Sequence, residues 1–490
     1  MHRFDPGMSR AEEKIRAGAL ARSGVYSGED IARAAETVAL VEADGIETIR
    51  TVLADPHGIL RGKTIAAGRL ADAFASGIRA PSTLLLKDVS HRTVFPVWSD
   101  TGDAPMRGAA DILLIPLSDT FRRLPWSPHS ALLHCDVALT TGAPVSFASR
   151  QVLHTACERL SKRSMQAVMG LEVEFQVFEV TDPAREHADT TMPARPPTTR
   201  ALNQGYQYLT ETRYGEAEAL LDKLRRSAQA IGMPVHSVEI EMGPGQFEFT
   251  FAPADPMTIA DMAVNFRTMA KEICRREGLL ASFMARPRLP NAASNGWHVH
   301  QSVRNADGQN LFVPETGGML TPTASGWIAG LLHHAAASCI ATTPTVNGYK
   351  RYTAYLLAPN RIGWAHDNRG AMLRTLMAPG DPASRVENRA PDSTANPYFA
   401  LAFQILSGLD GIEKGLAAPL PLARPYDDED AEHLPANLLA AIERFEESDL
   451  YRIALGDGFM SYLARLKRAE WDRYLATVSE WEQAEYFTAF

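Results

Sequence analysis

Apolar and polar residues alternate in four short stretches of the chain, and the polar positions carry acids, histidines and arginines without lysine. The stretches cover residues 170–175, 241–249, 297–302 and 385–389. Successive side chains of a β-strand point to opposite faces, so residues two apart share a face. Each stretch is therefore predicted to be a strand with one charged face and one apolar face that packs on a core.

Longer apolar periodicities predict helices between these strands. The predicted helices cover residues 9–22 (capped and exposed), 27–43, a segment from about Ser149, 216–231 and 257–277. The chain after Ala395 is also predicted to be rich in helices and ends in aromatic residues. Their apolar spacing is that of amphipathic helices.

The N-terminal region is predicted to be a small β-rich domain. Runs at 46–53 and 59–65 flank an Asp-Pro-His-Gly turn and predict a hairpin, and further strands are expected at 84–87 and 112–116. We expect a helical extension over 1–42, this domain over 43–145 and a catalytic domain over 146–490. The polar, Pro-rich segment 181–204 is interpreted as a surface loop or an oligomer contact.

Composition narrows the class of protein. The 490 residues carry 49 basic and 58 acidic side chains, a net charge of −9, so no surface for nucleic acid is indicated. The four cysteines have no zinc-ligand spacing and suggest reduced thiols. The chain shows neither a signal peptide nor an apolar run that could span a membrane. A cytoplasmic protein without membrane contact is expected.

The four charged faces supply candidate metal ligands. They are five carboxylates and one imidazole, from Glu172, Glu174, Glu241, Glu248, His298 and Glu387. Such donors suit Mg²⁺ or Mn²⁺, and two such metals can bridge the phosphates of a nucleotide. A solvated face of an antiparallel sheet would also alternate, but it favours Lys, Thr, Ser and Gln, and clustered carboxylates are costly without cations.

Arginines accompany these acids. Arg369, Arg374, Arg385 and Arg389 lie within one 21-residue stretch. Guanidinium groups bind phosphate and carboxylate bidentately, although a salt-bridged surface segment is the plainer alternative. The chain has no Walker A loop, no dinucleotide fingerprint and no nucleophile elbow. A bound nucleotide is therefore expected to be held by metal and arginine.

In combination, these motifs resemble the glutamine synthetase family from about residue 43 to the end. The matching segments are 170–175, 241–248, 295–302, 347–351, 368–374, 385–392 and 396–400, all in family order. The resemblance implies an α+β fold, with a small β-grasp domain and a catalytic domain built on a curved antiparallel sheet. It also implies a homo-oligomer of stacked hexameric rings, a dodecamer, with active sites between subunits.

The resemblance further implies an ATP-dependent reaction of glutamate with an amine and a role for each matching residue. Glu174, Glu241 and Glu248 would hold one metal, and Glu172, His298 and Glu387 the other. Arg351 and Arg389 would bind the carboxylates of glutamate, and Arg369 would stabilise the transferring phosphoryl group. His300, Ser302, Arg374 and Arg385 would face ATP, and Asp88 would help to deprotonate the amine.

The chain departs from the family pattern where the amine is bound. The family has a glutamate six residues after the arginine of its Asn-x-Tyr-Lys-Arg segment, and this chain has Leu357. A small cation would lose its counter-charge there, whereas an apolar amine would gain an apolar wall. Trp297 replaces a usual methionine and is assigned to the same pocket. Ala293 and Ser294 replace a usual Asn-Gly contact with glutamate.

The sequence therefore predicts a γ-glutamyl amide synthetase of the glutamine-synthetase-like branch, using an apolar amine such as aniline or a small alkylamine. An ordinary glutamine synthetase using ammonia, a polyamine or ethanolamine enzyme, a non-catalytic relative and an enzyme of another acid remain alternatives. Tyr426 occupies the position of the family's adenylylated tyrosine, but its acidic surroundings favour a solvated loop residue.

Overall fold

The computed structural model describes residues 9–98, 104–352 and 357–490. The elements of the N-terminal region are α1 (Arg10–Arg16), α2 (Ala19–Arg22), α3 (Gly28–Ala43), β1 (Thr48–Ala54), β2 (Leu60–Ala66), α4 (Leu70–Ser76), β3 (Ile78–Pro81), β4 (Asp111–Pro116), β5 (Arg122–Arg123) and β6 (Ser130–Leu139). The strands form a sheet of order β2-β1-β6-β4-β3, with β5 beside β6. Helices α1 to α4 share an apolar core with this sheet.

The predicted hairpin is confirmed as β1 and β2, and local chemistry explains its turn. The carboxylate of Asp55 accepts the backbone N–H groups of His57 and Ile59 at 2.9 and 3.0 Å. Gly58 has φ +68°, a conformation that glycine adopts without strain. An aspartate that binds the backbone two residues on is a common turn former.

Two predictions for this region are wrong in detail. Residues 9–22 form two helices rather than one, because the chain breaks at Gly18, where a side chain would overlap the backbone of Ala75. These helices are not simply exposed, since Ile15 and Leu20 are buried. The strand predicted at 84–87 is replaced by a 3₁₀ helix over Ser82–Leu85.

The second region carries a larger sheet. Its elements are α5 (Ser149–Ser161), β7 (Met165–Asp182), β8 (Thr198–Ala201), α6 (Glu211–Ala230), β9 (Val235–Ile240), β10 (Gln246–Phe251), α7 (Pro256–Arg276), β11 (Leu279–Ser282), β12 (Trp297–Asn305), α8 (Pro322–His333), α9 (Ala335–Thr342), β13 (Trp364–His366), β14 (Leu373–Leu376), β15 (Arg385–Asn388), α10 (Pro397–Glu413), α11 (Leu438–Glu446), α12 (Asp449–Leu475) and α13 (Glu480–Tyr486). The strand order is β13-β14-β15-β12-β7-β10-β9, and β8 and β11 also pair with β7.

Most of the helix predictions agree with this region. Helices α5 and α7 begin within one residue of the predicted starts, whereas α6 begins five residues earlier, at Glu211. Segment 181–204 is not wholly a loop, because β8 pairs with the end of β7 inside it. No helix in the described ranges is long and apolar enough to cross a membrane.

The apolar face of β7 builds the core beneath the site. Phe175 stacks on Phe283 with ring centroids 5.0 Å apart and meets Phe266 of α7 edge to face at 5.6 Å. Phe247 and Phe249 of β10 join the same buried cluster. Aromatic pairs of this kind contribute about 0.5–1.5 kcal/mol each beyond their buried area. The core therefore holds the charged face of the sheet rigidly.

Candidate active site

The sheet register brings the charged faces of the four predicted strands together. Antiparallel pairing places three pairs of residues opposite each other: His298 and Glu172, Glu248 and Glu174, and His300 and Glu387. Glu241 follows the end of β9, and its N–H donates to Gln246 across the turn at 3.0 Å. Strands distant in sequence thus place the six candidate ligands around one area.

Two histidines surround Glu172. The carboxylate is hydrogen-bonded to Nδ1 of His298 and, at 2.8 Å, to Nε2 of His300. Burial by itself raises the pKa of Glu172, but the two imidazoles hold that pKa well below its usual range. Glu172 is therefore an anionic donor at the centre of the cluster.

Two other acids of the cluster behave in the opposite way. Burial, followed by the charges of Glu172 and Glu174, raises the pKa of Glu248 to about 11. Burial and Glu174 raise the pKa of Glu241 to about 8. Among the described residues, the carboxylate of Glu248 has no hydrogen-bond partner, although only 6% of the residue is exposed. These carboxylates need cations, and hard oxygen donors fit Mg²⁺ or Mn²⁺.

The side-chain positions give two groups of metal donors. The donor atoms of Glu172, His300 and Glu387 lie within 4.8 Å of one another, and so do those of Glu172, Glu248 and His298. Both groups share Glu172, and one includes His300, which the sequence placed toward ATP. The predicted division into two sets of three ligands remains a prediction, but the donor set as a whole fits divalent metals.

Three of the predicted arginines contact this cluster directly. Arg389 forms an ion pair with Glu387, and Arg374 lies 3.1 Å from the same carboxylate and 2.6 Å from that of Asp367. Arg385 donates to Nδ1 of His300 at 3.1 Å. The acids and guanidinium groups therefore form one continuous network.

A cavity of about 550 Å³ opens beside the cluster. Its wall includes His300, Ser302 and Arg385, together with Glu172 of the cluster. Its size is within the range of small-molecule sites. The nucleotide-facing residues predicted from the sequence thus share one cavity, except Arg374, which is absent from its wall.

The remaining predicted arginines differ in burial. Arg351 and Arg389 are only 2% and 4% exposed, and Arg351 donates to the carbonyl of Ala390 at 3.1 Å. Arg369 is exposed. Burial and the charge of Glu241 raise the pKa of Tyr208, and the positive charge of Arg369 opposes that shift. Arg369 therefore lies at the mouth of the site.

Asp88 is not part of the cluster in its own chain. It is buried, accepts the N–H of Arg92 at 2.8 Å and forms an ion pair with Arg473 of α12. Among the described residues, no hydrogen bond or ion pair joins it to the six candidate ligands. Within a single chain, Asp88 is therefore not placed to deprotonate an amine at the acid cluster.

The two residues assigned to the amine pocket are placed differently. Leu357 is 49% exposed, has φ +55°, and donates its N–H to the hydroxyl of Tyr426 at 3.1 Å. Trp297 is buried in the hydrophobic core, on the face of β12 opposite His298. Leu357 is therefore accessible and Trp297 is not, and the assignment of both residues to the amine pocket remains a prediction.

Two residues near the site were missed, Glu239 and Tyr208, and a third, Tyr426, was interpreted only as a solvated loop residue. Glu239 lies opposite Glu248 in the β9–β10 register and accepts from Ser237 at 2.7 Å. Its alternation with Glu241 was a usable signal. Tyr208 lies in the charge field of Glu241 and Arg369, and nothing in the sequence pattern indicated it. Tyr426 binds Leu357 and packs against Gly370, where an added Cβ would lie 2.9 Å from its ring.

Comparison with known proteins agrees with this geometry. The family model described as "Glutamine synthetase, catalytic domain" matches residues 146–486. The chain is 32% identical to a γ-glutamylanilide synthase of Acinetobacter sp over 96% of this chain and 98% of the relative. It is 33% identical to a γ-glutamylethanolamide synthetase of Streptomyces coelicolor over 92% and 95%. The solved structure described as "Apo GmaS without ligand" superposes with a TM-score of 0.78 at 29% identity, covering 92% of this chain and 99% of that one.

The fold and these matches define the protein as an enzyme of the carboxylate–amine ligase class. The chain belongs to the glutamine synthetase family. The predicted α+β fold of that family is confirmed, and so is the similarity to its γ-glutamylamide branch. Members of the family act on small molecules and use ATP and divalent metals.

Proposed function

We propose that the protein joins the γ-carboxylate of L-glutamate to an organic, apolar amine at the expense of ATP. The amine is an arylamine such as aniline or a small alkylamine. The single observation that carries this proposal is the accessible leucine at position 357, beside an otherwise complete set of acids, histidines and arginines. The similarity to amide synthetases of organic amines supports it.

In this proposal the acid cluster holds the metals. Glu174, Glu241 and Glu248 bind one Mg²⁺ or Mn²⁺ ion, and Glu172, His298 and Glu387 bind the other. When bound, such ions neutralise the charge of phosphate oxygens. Burial and the neighbouring carboxylates raise the pKa values of Glu241 and Glu248 in the protein alone, and this supports the assignment.

The arginines position the substrates. Arg351 and Arg389 are buried and held by fixed partners, so they can orient the carboxylates of glutamate at little entropic cost. Arg369 is exposed at the mouth and free to stabilise charge on the transferring phosphoryl group. His300, Ser302, Arg374 and Arg385 bind ATP, and the cavity lined by three of them supports this role.

The reaction proceeds in two substitutions. A γ-carboxylate oxygen of glutamate attacks the γ-phosphorus of ATP, the bond to ADP breaks, and γ-glutamyl phosphate forms. The amine nitrogen then attacks the acyl carbon, phosphate leaves, and the nitrogen loses a proton. An arylamine is neutral at cellular pH, so it needs no acidic residue in place of Leu357.

A panel of amines tests the proposal. Phosphate release with Mg²⁺, ATP and glutamate is measured with ammonium, ethylamine, isopropylamine, ethanolamine, putrescine and aniline, and products are identified by mass spectrometry. A γ-glutamyl adduct of an apolar amine is expected. Turnover with ammonium alone would instead identify an ordinary glutamine synthetase, and putrescine or ethanolamine as best substrate would exclude the apolar pocket.

Leu357→Glu tests the residue that carries the proposal. The ratio of kcat/KM for ammonium to that for the organic amine should rise about 10-fold to 200-fold, because a well-filled apolar contact is worth about 1–3 kcal/mol. Leu475→Glu, at a leucine of α12 that is 62% exposed, is the matched control. An unchanged ratio in Leu357→Glu would contradict the proposal that Leu357 selects an apolar amine.

We also propose that the protein assembles into stacked hexameric rings, as the family resemblance implies. The position of Asp88 supports this, since it is bound to Arg473 and not to the acids of its own chain. In an oligomer, another copy can supply a residue to deprotonate the amine. Native mass spectrometry should show twelve copies, and a monomer with full activity would contradict the proposal.

A further inference from the structure

A second cavity, of about 500 Å³, lies between the hairpin turn after β1 and the catalytic region. Its wall includes the cationic side chains of Arg267, Lys271 and Lys467, together with His57 and Glu272. None of the residues to which we assign a role in catalysis lines it. The cavity is therefore a separate compartment of the molecule.

Lys467 of α12 is the unusual member of this wall. The residue is only 3% exposed, and within the part of the chain that the structure describes its ammonium group makes no hydrogen bond or ion pair. Arg267 is a useful contrast, because its guanidinium donates to the backbone carbonyls of Gly58, Ser393 and Ala395 at 3.0–3.2 Å. Arg267 is satisfied by the fold, whereas the ammonium of Lys467 is not.

The carboxylates nearest to Lys467 do not neutralise it directly. Asp55 is occupied by two backbone N–H groups of its turn and by Arg61 at 3.0 Å. Glu470 accepts the N–H of Val346 at 3.1 Å. These acids, with Asp392, act on Lys467 only over longer distances than an ion pair.

The acid in the cavity wall is also occupied. Glu272 pairs with Arg50 at 2.7 Å and accepts from the indole of Trp126 at 2.7 Å. Lys271 lines the same cavity, and no ion pair joins it to another described residue. A ligand inside the cavity would therefore meet two cationic side chains, Lys467 and Lys271, that have no ion-pair partner among the described residues.

An unpaired buried charge costs several kcal/mol unless a partner compensates it. Burial lowers the pKa of Lys467, and the more distant acids oppose that shift. A cavity that borders the ammonium gives space for a compensating anion, since small-molecule sites combine such a volume with a few polar groups.

We propose that this cavity is a binding site for a small oxyanion, carried by a carboxylate or by a sulfate- or phosphate-type group, and that Lys467 is its principal ligand. Lys271 adds a second cationic group. The proposal does not depend on the amine specificity proposed above, because it concerns other residues.

Titration calorimetry on the full-length protein tests this site. Sodium sulfate and sodium malonate are the two probes, each against sodium chloride at equal ionic strength, and they distinguish a tetrahedral oxyanion from a carboxylate. Sulfate also has access to the arginines of the active site. Binding of each probe to the wild type is therefore compared with binding to Lys467→Met. The variant should bind the probe at this cavity with a Kd at least tenfold weaker than that of the wild type.

Lys223→Met is the control, since Lys223 forms a surface ion pair with Glu277 away from the cavity. It should bind both probes like the wild type. Lys467→Met should also unfold at a temperature no lower than the wild type without oxyanion, because it removes an unpaired buried charge. Equal binding of both probes by the wild type and Lys467→Met would overturn the proposal.

A diffraction experiment makes the test independent of any variant. Crystals of the wild-type protein soaked in sodium selenate should show an anomalous peak within hydrogen-bonding distance of Nζ of Lys467. A peak confined to the active-site arginines, with none in this cavity, would also overturn the proposal.

Discussion

At the scale of single residues, Glu248 and Glu241 show what the acid cluster costs the protein without metal. Their pKa values, about 11 and about 8, lie above the ordinary value of a glutamate. A carboxyl whose folded pKa is raised holds its proton in the folded state and loses it in the unfolded state. The metal-free protein should therefore lose stability as pH rises from about 4.5 toward 8.

Glu248→Gln tests this account. In metal-free buffer at pH 8, the free energy of unfolding of the variant should exceed that of the wild type by roughly 1–3 kcal/mol, and its unfolding temperature should be higher. The reason is that the substitution removes a buried acid beside other acids. It should also lose most of the stabilisation that Mg²⁺ or Mn²⁺ gives the wild type. Calorimetry with and without metal measures both effects.

Glu277→Gln, at a surface ion pair, is the matched control and should keep the metal response. If Glu248→Gln kept the full stabilisation by metal, the assignment of Glu248 as a ligand would be wrong.

Tyr426 gives a second prediction at this scale. Its hydroxyl binds the N–H of Leu357, which has a left-handed backbone that a leucine adopts only at some cost. Tyr426→Phe should raise the KM of the organic amine about threefold to tenfold, the effect of losing one hydrogen bond of about 1 kcal/mol. Steady-state kinetics should find the KM of ATP unchanged.

Tyr486→Phe, on the exposed last helix, controls for the loss of a phenol hydroxyl. Equal effects of Tyr426→Phe on amine and ATP would argue for a general loss of folding and against a local role.

At the scale of elements, helices α8 and α10 pack in close backbone contact. A Cβ added at Gly330 or Gly411 would overlap the backbone of the facing helix, and one at Gly408 would overlap the ring of Trp327. Both helices are buried on nearly all sides. Their axes lie this close only because glycine has no side chain.

Gly411→Ala should destabilise the protein by about 2 kcal/mol or more, because overpacking forces the two backbones apart. Gly215→Ala on α6 is the matched control, since nothing lies within 4 Å of a Cβ there. It should stabilise by roughly 0.5–1 kcal/mol, the helix preference of alanine over glycine. Chemical denaturation measures both, and similar effects of the two substitutions would contradict the packing argument.

At the scale of the whole molecule, a buried histidine joins the N-terminal sheet to helix α7 of the second region. His134 of β6 contacts the side-chain oxygen of Asn265 on α7 at 2.9 Å. Burial lowers the pKa of His134. A histidine held neutral in the folded state takes up a proton more readily when unfolded, so its contribution to stability is lost as pH falls below about 6.5.

Between about pH 6.5 and pH 5, the free energy of unfolding should therefore fall less steeply in His134→Gln than in the wild type. The difference in slope should be up to about 1.4 kcal/mol per pH unit. Denaturation midpoints across this range measure the slope. His154→Gln, at an exposed histidine of α5, should leave the slope unchanged. A slope unaffected by either change would place the acid sensitivity elsewhere.

Much of the site could be predicted because its ligands lie on strands. The alternation of Glu172 and Glu174, or of His298 and His300, reports which side chains share a face. The same rule, applied strictly, would have placed Trp297 on the opposite, buried face. Helix α3 was also predictable, because Ser27 and Asp30 form a capping box in its first turn.

Other features depended on contacts between distant segments. The break at Gly18 follows from the approach of α4, and the 3₁₀ turn over Ser82–Leu85 replaces an expected strand that has no continuous partner. Tyr208 and Tyr426 reach the site from loops, where no periodic pattern records the direction of a side chain.

The sequence by itself determined the family, the α+β fold and the inventory of acids, histidines and arginines, because each motif is local and its period follows from backbone geometry. The tertiary structure alone decided which donors meet around Glu172, why Glu248 and Glu172 have opposite pKa shifts, and that Lys467 is left unpaired beside a cavity. The physical reason is that burial and charge–charge distances arise only when strands far apart in the chain are packed together.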